Sequence, residues 1–134
     1  MKYRTIFGIL LLCLSSSSFA ECLNSKSLQS KAISKLWAVT EVSHWRTYVY
    51  AHEGKKAIVL DEIEPVKFKG ACFLRLDAYS DESDHLHRWH SFYIHPNRGS
   101  VYIDNPDGQF ISVSKWRSTK DGKSWRTNNL APKS

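Results

Sequence analysis

Beyond about residue 44 the chain is cut by polar turn signals into short runs rich in β-branched and aromatic residues. That punctuation leaves room for little except an antiparallel sheet. The runs are Trp45–Ala51, Ala57–Leu60 (fading near Glu64-Pro65), Cys72–Tyr79, Leu86–Ile94, Ser100–Asp104 and Phe110–Val113. The turns between them include Glu53-Gly54-Lys55-Lys56, the acidic Ser80–Asp84, Pro96-Asn97-Arg98-Gly99 and Asn105-Pro106-Asp107-Gly108. In the third run Cys72, Leu74, Leu76 and Ala78 alternate with Phe73, Arg75, Asp77 and Tyr79, the period of a half-buried strand.

Before the first run the period is helical. Leu28, Ala32, Ile33, Leu36, Trp37 and Thr40 form one stripe, with Asn24 or Ser25 placed to cap it. The spacing predicts one helix from about Ser25 to about Val42. A lone amphipathic helix must bury its stripe on the sheet. The expected fold is therefore α+β: one N-terminal helix packed on a curled antiparallel sheet of about five to six strands. This element order resembles that of cystatin-like and NTF2-like domains, which host many functions.

Residues 1–20 read as a secretory signal peptide. Lys2 and Arg4 precede the apolar run Ile6–Leu14, and Ser18-Phe19-Ala20 is a small-x-small cleavage site. The run is too short to span a bilayer. A periplasmic or secreted protein is expected, cut near Ala20, with a single domain over residues 21–116 and a basic tail over 117–134. Past the leader the charge is 17 − 13 = +4: the stretch from Lys115 to Ser134 carries +5, six basic residues against one acidic, and the rest is at −1. Such a tail is either a solvated terminus or a contact for lipid headgroups, an acidic partner or an anionic polymer. Nucleic acid is not an expected partner outside the cytoplasm. Beyond the leader Cys22 and Cys72 remain, and in an oxidising compartment they are expected to pair.

No nucleophile elbow, Ser-x-x-Lys or His-Glu-x-x-His pattern is present. Asp61, Glu62 and Glu64 are three carboxylates near a strand end, the residue type that acts on glycosidic bonds. Asp81, Glu82, Asp84, His85, His87, His90 and His95 form the densest polar cluster. On a strand His85 and His87 share a face, a workable imidazole pair for zinc or copper, with Asp84 or Asp81 as a third ligand. By parity His90 shares the opposite face with Phe92 and Ile94.

The same parity turns Trp89 and Tyr93 outward if Phe92 and Ile94 face the helix. The alternative is a sheet curled enough to bury them. An outward Trp, Tyr and Arg surface has the composition of a protein interface. In type the chain resembles the small exported immunity proteins and hydrolase inhibitors of Gram-negative bacteria: a leader, one compact domain, one disulfide, an antiparallel sheet and no catalytic motif. The resemblance implies a protein that neutralises another protein, without a cofactor. The expected contacts are Trp89, Tyr93, His87 and the turn Asp81, Glu82 and Asp84, whose acidity suits a basic cell-wall hydrolase or toxin. The competing readings are a periplasmic metal or small-ligand binder through His85 and His87, and a cell-wall-active hydrolase.

Overall fold

The computed structural model describes residues 22–52, 57–59, 63–81 and 84–127. Two helices come first, α1 (Lys26–Trp37) and α2 (Thr40–His52). Six strands follow: β1 (Ala57–Val59), β2 (Glu64–Phe68), β3 (Ala71–Asp81), β4 (Leu86–Ile94), β5 (Val101–Asp104) and β6 (Phe110–Ser112). Two short helices close the described chain, α3 (Val113–Trp116) and α4 (Lys120–Arg126). The fold is α+β with a curled antiparallel sheet, as the turn pattern predicts.

Ser25 caps α1, its hydroxyl accepting from the Leu28 amide at 3.2 Å. The expected single helix is in fact two. It stops at Trp37, and the Ala38 amide donates to Ser34 O at 3.1 Å. The run Trp45–Ala51, expected as a strand, belongs to α2. Its β-branched and aromatic residues suit a pleated surface, but that preference yields to tertiary burial. At helical spacing Val42, Trp45 and Val49 fall on one face, and all three are buried. The same helix buries Glu41, which is 1 % exposed and held by the Arg117 guanidinium at 2.6 and 3.0 Å. Burial opposes ionisation of Glu41, but the hydrogen bonds and charge of Arg117 hold its carboxyl below the usual range.

The sheet runs β1-β3-β4-β5-β6, with β2 also paired to β3, and every pairing is antiparallel. Lys69 and Gly70 join β2 to β3 with φ of +50° and +74°, the two-residue hairpin turn with both central residues left-handed. The core lies between the helices and one sheet face. Ala32 and Leu36 of α1 and Val42, Trp45 and Val49 of α2 meet Leu74, Leu76, Ala78, Phe92, Ile94 and Ile103. Cys22 and Cys72 are bonded, Cα to Cα 5.4 Å, tying the residues before α1 to β3. Closing a loop of 50 residues contributes about 4 kcal/mol by chain entropy.

The segment read as a tail begins inside the body. Arg117 pairs with buried Glu41, and α4 packs on α2. There the His44 Nδ1–H donates to Trp125 O at 2.8 Å, and Tyr48 meets the Trp125 ring edge-on at 5.6 Å. Residues 1–21 and 128–134 lie outside the described residues.

Candidate functional site

The geometry of β4 is set by one extra residue. The β3–β4 register moves from Ala78↔His90 to Tyr79↔Arg88, so Trp89 is a bulge. A one-residue offset reverses the face of everything beyond it. Trp89 is therefore turned inward, correcting the outward placement expected from parity. Its ring stacks on Trp45 at 4.4 Å with planes 6° apart, and it meets Trp116 and Trp125 edge-on at 6.3 and 5.5 Å. Ser114-Lys115-Trp116-Arg117-Ser118 and Lys123-Ser124-Trp125-Arg126-Thr127 echo one another in sequence, and each brings its tryptophan to the same ring.

His90, next along, is clamped between two carboxylates from distant parts of the chain. Its Nδ1–H donates to Asp104 Oδ1 of β5 at 2.8 Å, and its Nε2–H donates to Asp121 Oδ2 of α4 at 2.9 Å. Trp116 Nε1–H donates to the same Asp121 oxygen at 3.0 Å, and the Ser91 amide donates to Asp104 Oδ1 at 3.0 Å. Burial alone would lower the histidine pKa, but the two hydrogen bonds and two negative charges raise it to about 9. The effect is reciprocal. Burial opposes ionisation of Asp104, yet His90 and the Ser91 amide hold its pKa low; the His90 hydrogen bond does the same for Asp121.

Gly122 makes the clamp possible. A Cβ there would sit 2.2 Å from the carbonyl oxygen of Trp116, so only glycine lets the start of α4 press onto α3. Thr119 caps α4 through the Gly122 amide at 3.1 Å and donates its hydroxyl to Trp116 O at 2.6 Å. Beside the clamp lies an open groove of about 720 Å³ between the β5–β6 turn and α4, with Pro106, Ile111, Lys115 and Lys120 among its walls. With both ring nitrogens donating, the imidazolium has no lone pair to accept a proton. His90 is thus a charged cross-link rather than a general base.

The expected interface residues separate. Tyr93 lies on the opposite face from the helices but is covered, stacked on Phe110 at 3.6 Å and flanked by Phe68 at 5.0 Å. Asp81, Asp84, His85 and His87 are exposed at the β3–β4 tip, while Glu82 lies outside the described residues. The Nδ1–H of His85 donates to Asp84 Oδ1 at 2.6 Å; His85 precedes β4, so it is a turn residue rather than the strand partner of His87. Among the described residues no group of three or more His, Cys, Asp or Glu side chains is placed to hold a metal ion. Glu64 is exposed on β2, and Asp61 and Glu62 lie outside the described residues. Among the described residues no helix is long and apolar enough to cross a membrane.

Comparison with known proteins adds no relative: no family model, no curated protein and no solved structure matches this chain significantly.

Sequence reasoning missed Asp104, Asp121 and Gly122. Asp104 and Asp121 stand 14 and 31 residues from His90, and no local spacing links them. The available signal was the Trp-Arg echo, which marks residues 114–127 as patterned rather than frayed.

Proposed function

We propose that this chain is exported, loses its leader near Ala20, and binds and neutralises another protein, as envelope immunity proteins and hydrolase inhibitors do. One observation carries the reading: the tip of the β3–β4 hairpin. Among the described residues β5 pairs with Phe92–Ile94 of β4, and β1 pairs with Ala78–Ser80 of β3. At this end of the hairpin Asp81, Asp84, His85 and His87 are exposed around Leu86, which is 45 % exposed. An apolar side chain ringed by carboxylates and imidazoles suits entry into the cleft of a basic protein. The proposed contact is this tip rather than the sheet face, because Trp89 and Tyr93 are spent on internal packing. The Cys22–Cys72 bond is compatible with an oxidising compartment.

The test is recovery of the tagged protein from a Gram-negative periplasm, followed by mass spectrometry of what accompanies it. A stoichiometric protein retained by the wild type and lost by Leu86→Asp with Asp84→Lys is the expected result. Recovery of the same protein by that variant would remove the tip from the interface. A partner-free protein carrying zinc or copper would replace the reading with a metal-binding one.

A further inference from the structure

The turn between β4 and β5 is held shut by a titratable side chain. His95 Nδ1 accepts from the Asn97 amide at 3.2 Å and from the Arg98 amide at 3.0 Å, and the His95 amide donates to Ser100 O at 3.0 Å to close the base. The next turn, between β5 and β6, is held in a similar way by a residue that does not titrate: Asn105 Oδ1 accepts from the Gln109 amide at 2.8 Å. Asparagine suits that role because its short side chain reaches the backbone just ahead of it. A histidine fills it only while Nδ1 keeps its lone pair, with the ring proton on Nε2.

The tip held this way is packed against the body. The Lys35 ammonium of α1 donates to the Arg98 carbonyl, Pro96 is buried, and the His95 ring meets the Phe73 ring of β3 edge-on at 5.4 Å. Behind the tip lies a crevice of about 480 Å³, walled by Leu28, Phe73 and Leu74 beside Cys72 and by Pro96 and Asn97 of the turn. Two charges act on the His95 ring and both are positive, Arg98 of its own turn and Lys35 of α1, while β3 presents the uncharged Phe73. Burial first, then these cations, lower its pKa and favour the neutral ring that the turn requires.

We propose that the β4–β5 turn is an acid-released latch: a proton taken from solvent by His95 Nδ1 removes the acceptor of the Asn97 and Arg98 amides, and the turn tip lifts from α1 and β3 and uncovers the crevice. The same proton brings a third positive charge beside Lys35 and Arg98, which drives the tip further from the helix. His90, already protonated at neutral pH, takes up nothing in this range. Acid therefore acts on the turn and leaves the clamp in place, and an apolar contact in the crevice is favoured in acid. The latch is independent of the β3–β4 tip, so the two stand or fall separately.

The test is an NMR titration of the oxidised, ¹⁵N-labelled protein from about pH 7.5 to about pH 4.5, with a parallel series in the uncharged dye Nile red. Exchange protection of the Asn97 and Arg98 amides should fall about fivefold or more, the equivalent of one hydrogen bond. That loss should follow the His95 midpoint, below 6.5, and Nile red emission should rise with it. His95→Asn should keep both amides bonded and abolish the response, because its carbonyl accepts without titrating. Lys35→Ala should move the response to higher pH together with the His95 midpoint. A His95 that titrates with both amides still protected, a His95 that stays neutral to the end of the titration, or the same acid response in His95→Asn would overturn the inference. So would a dye signal that coincides with lost protection throughout the core, or release of the amides with the dye signal unchanged, because the crevice would then stay covered.

Discussion

His90 and His95 stand five residues apart, one within β4 and one just past its end, and their environments are opposite. His90 donates from both ring nitrogens to carboxylates and is held protonated, with a pKa near 9. His95 uses Nδ1 as an acceptor, receiving the Asn97 and Arg98 amides at 3.2 and 3.0 Å, which requires an unprotonated nitrogen. Burial and the charges of Arg98 and Lys35 lower its pKa. The same residue type thus serves as a cationic cross-link at one place and a neutral turn cap at the other. What differs is the origin of the neighbours. The His95 cap is local in sequence, whereas the His90 clamp is assembled from β5 and α4.

The comparison breaks most sharply at His90 itself. His90→Ala should destabilise the protein by about 3 kcal/mol, because Asp104 is left half-buried without its cation. His90 and Asp104 are 15 % and 14 % exposed, so solvent screens this pair little. Urea denaturation at pH 6 measures the effect. A loss under about 1 kcal/mol would reduce the clamp to an ordinary surface pair.

The pH dependence sharpens the same point. The folded pKa of His90 lies above its ordinary value of 6.5, so its contribution is full below pH 6.5 and is lost as pH rises through about 9. Asp104 and Asp121 are shifted the other way from 3.8, so theirs is present above that pH and lost as pH falls through their folded values. The clamp is therefore strongest between these limits. Wild-type stability should fall by about 3 kcal/mol between pH 6.5 and pH 9 through this group alone, a restatement of the His90→Ala effect and not an addition to it. In His90→Ala that alkaline fall should be missing.

How much of this was legible follows the same division between local and remote. The α1 cap at Ser25 and the alternation of β3 are local patterns, and both are where the sequence predicts them. The disulfide was legible because Cys22 and Cys72 are the cysteines outside the apolar N-terminal run that holds Cys13. Residues 45–51 were misread because their composition favours a strand while their burial, with Val42, Trp45 and Val49 on one face, follows a helix. The bulge at Trp89 was invisible because alternation along one strand carries no record of its partner's register. The clamp was missed because Asp121 reaches His90 only after α4 folds back over α2.

Gly122→Ala attacks the clamp without touching its charges. The added Cβ, 2.2 Å from the Trp116 carbonyl oxygen, must push α4 away. Overpacking of this kind costs roughly 2 kcal/mol. The displaced Asp121 should also let the His90 pKa fall, which an NMR titration detects. A stability loss with the His90 pKa unchanged would separate α4 placement from the clamp. Asp121→Asn should cost less, about 1 kcal/mol, because that carboxylate is 47 % exposed and Asp104 still holds Nδ1.

The smallest effect lies at His95, and it tests whether the two histidines differ through their charged neighbours. Lys35→Ala and Arg98→Ala each remove one of the cations that disfavour protonation, so each should raise the His95 pKa toward its ordinary value. Neither should change global stability by more than about 0.5 kcal/mol, since these are surface substitutions away from the core. The His90 resonances should not move in either variant, because its shift comes from burial, Asp104 and Asp121 and not from Lys35 or Arg98. If both variants leave the His95 pKa unchanged, its low value comes from burial beside Phe73 and from the amides it accepts, and the contrast with His90 is one of solvation rather than of charge.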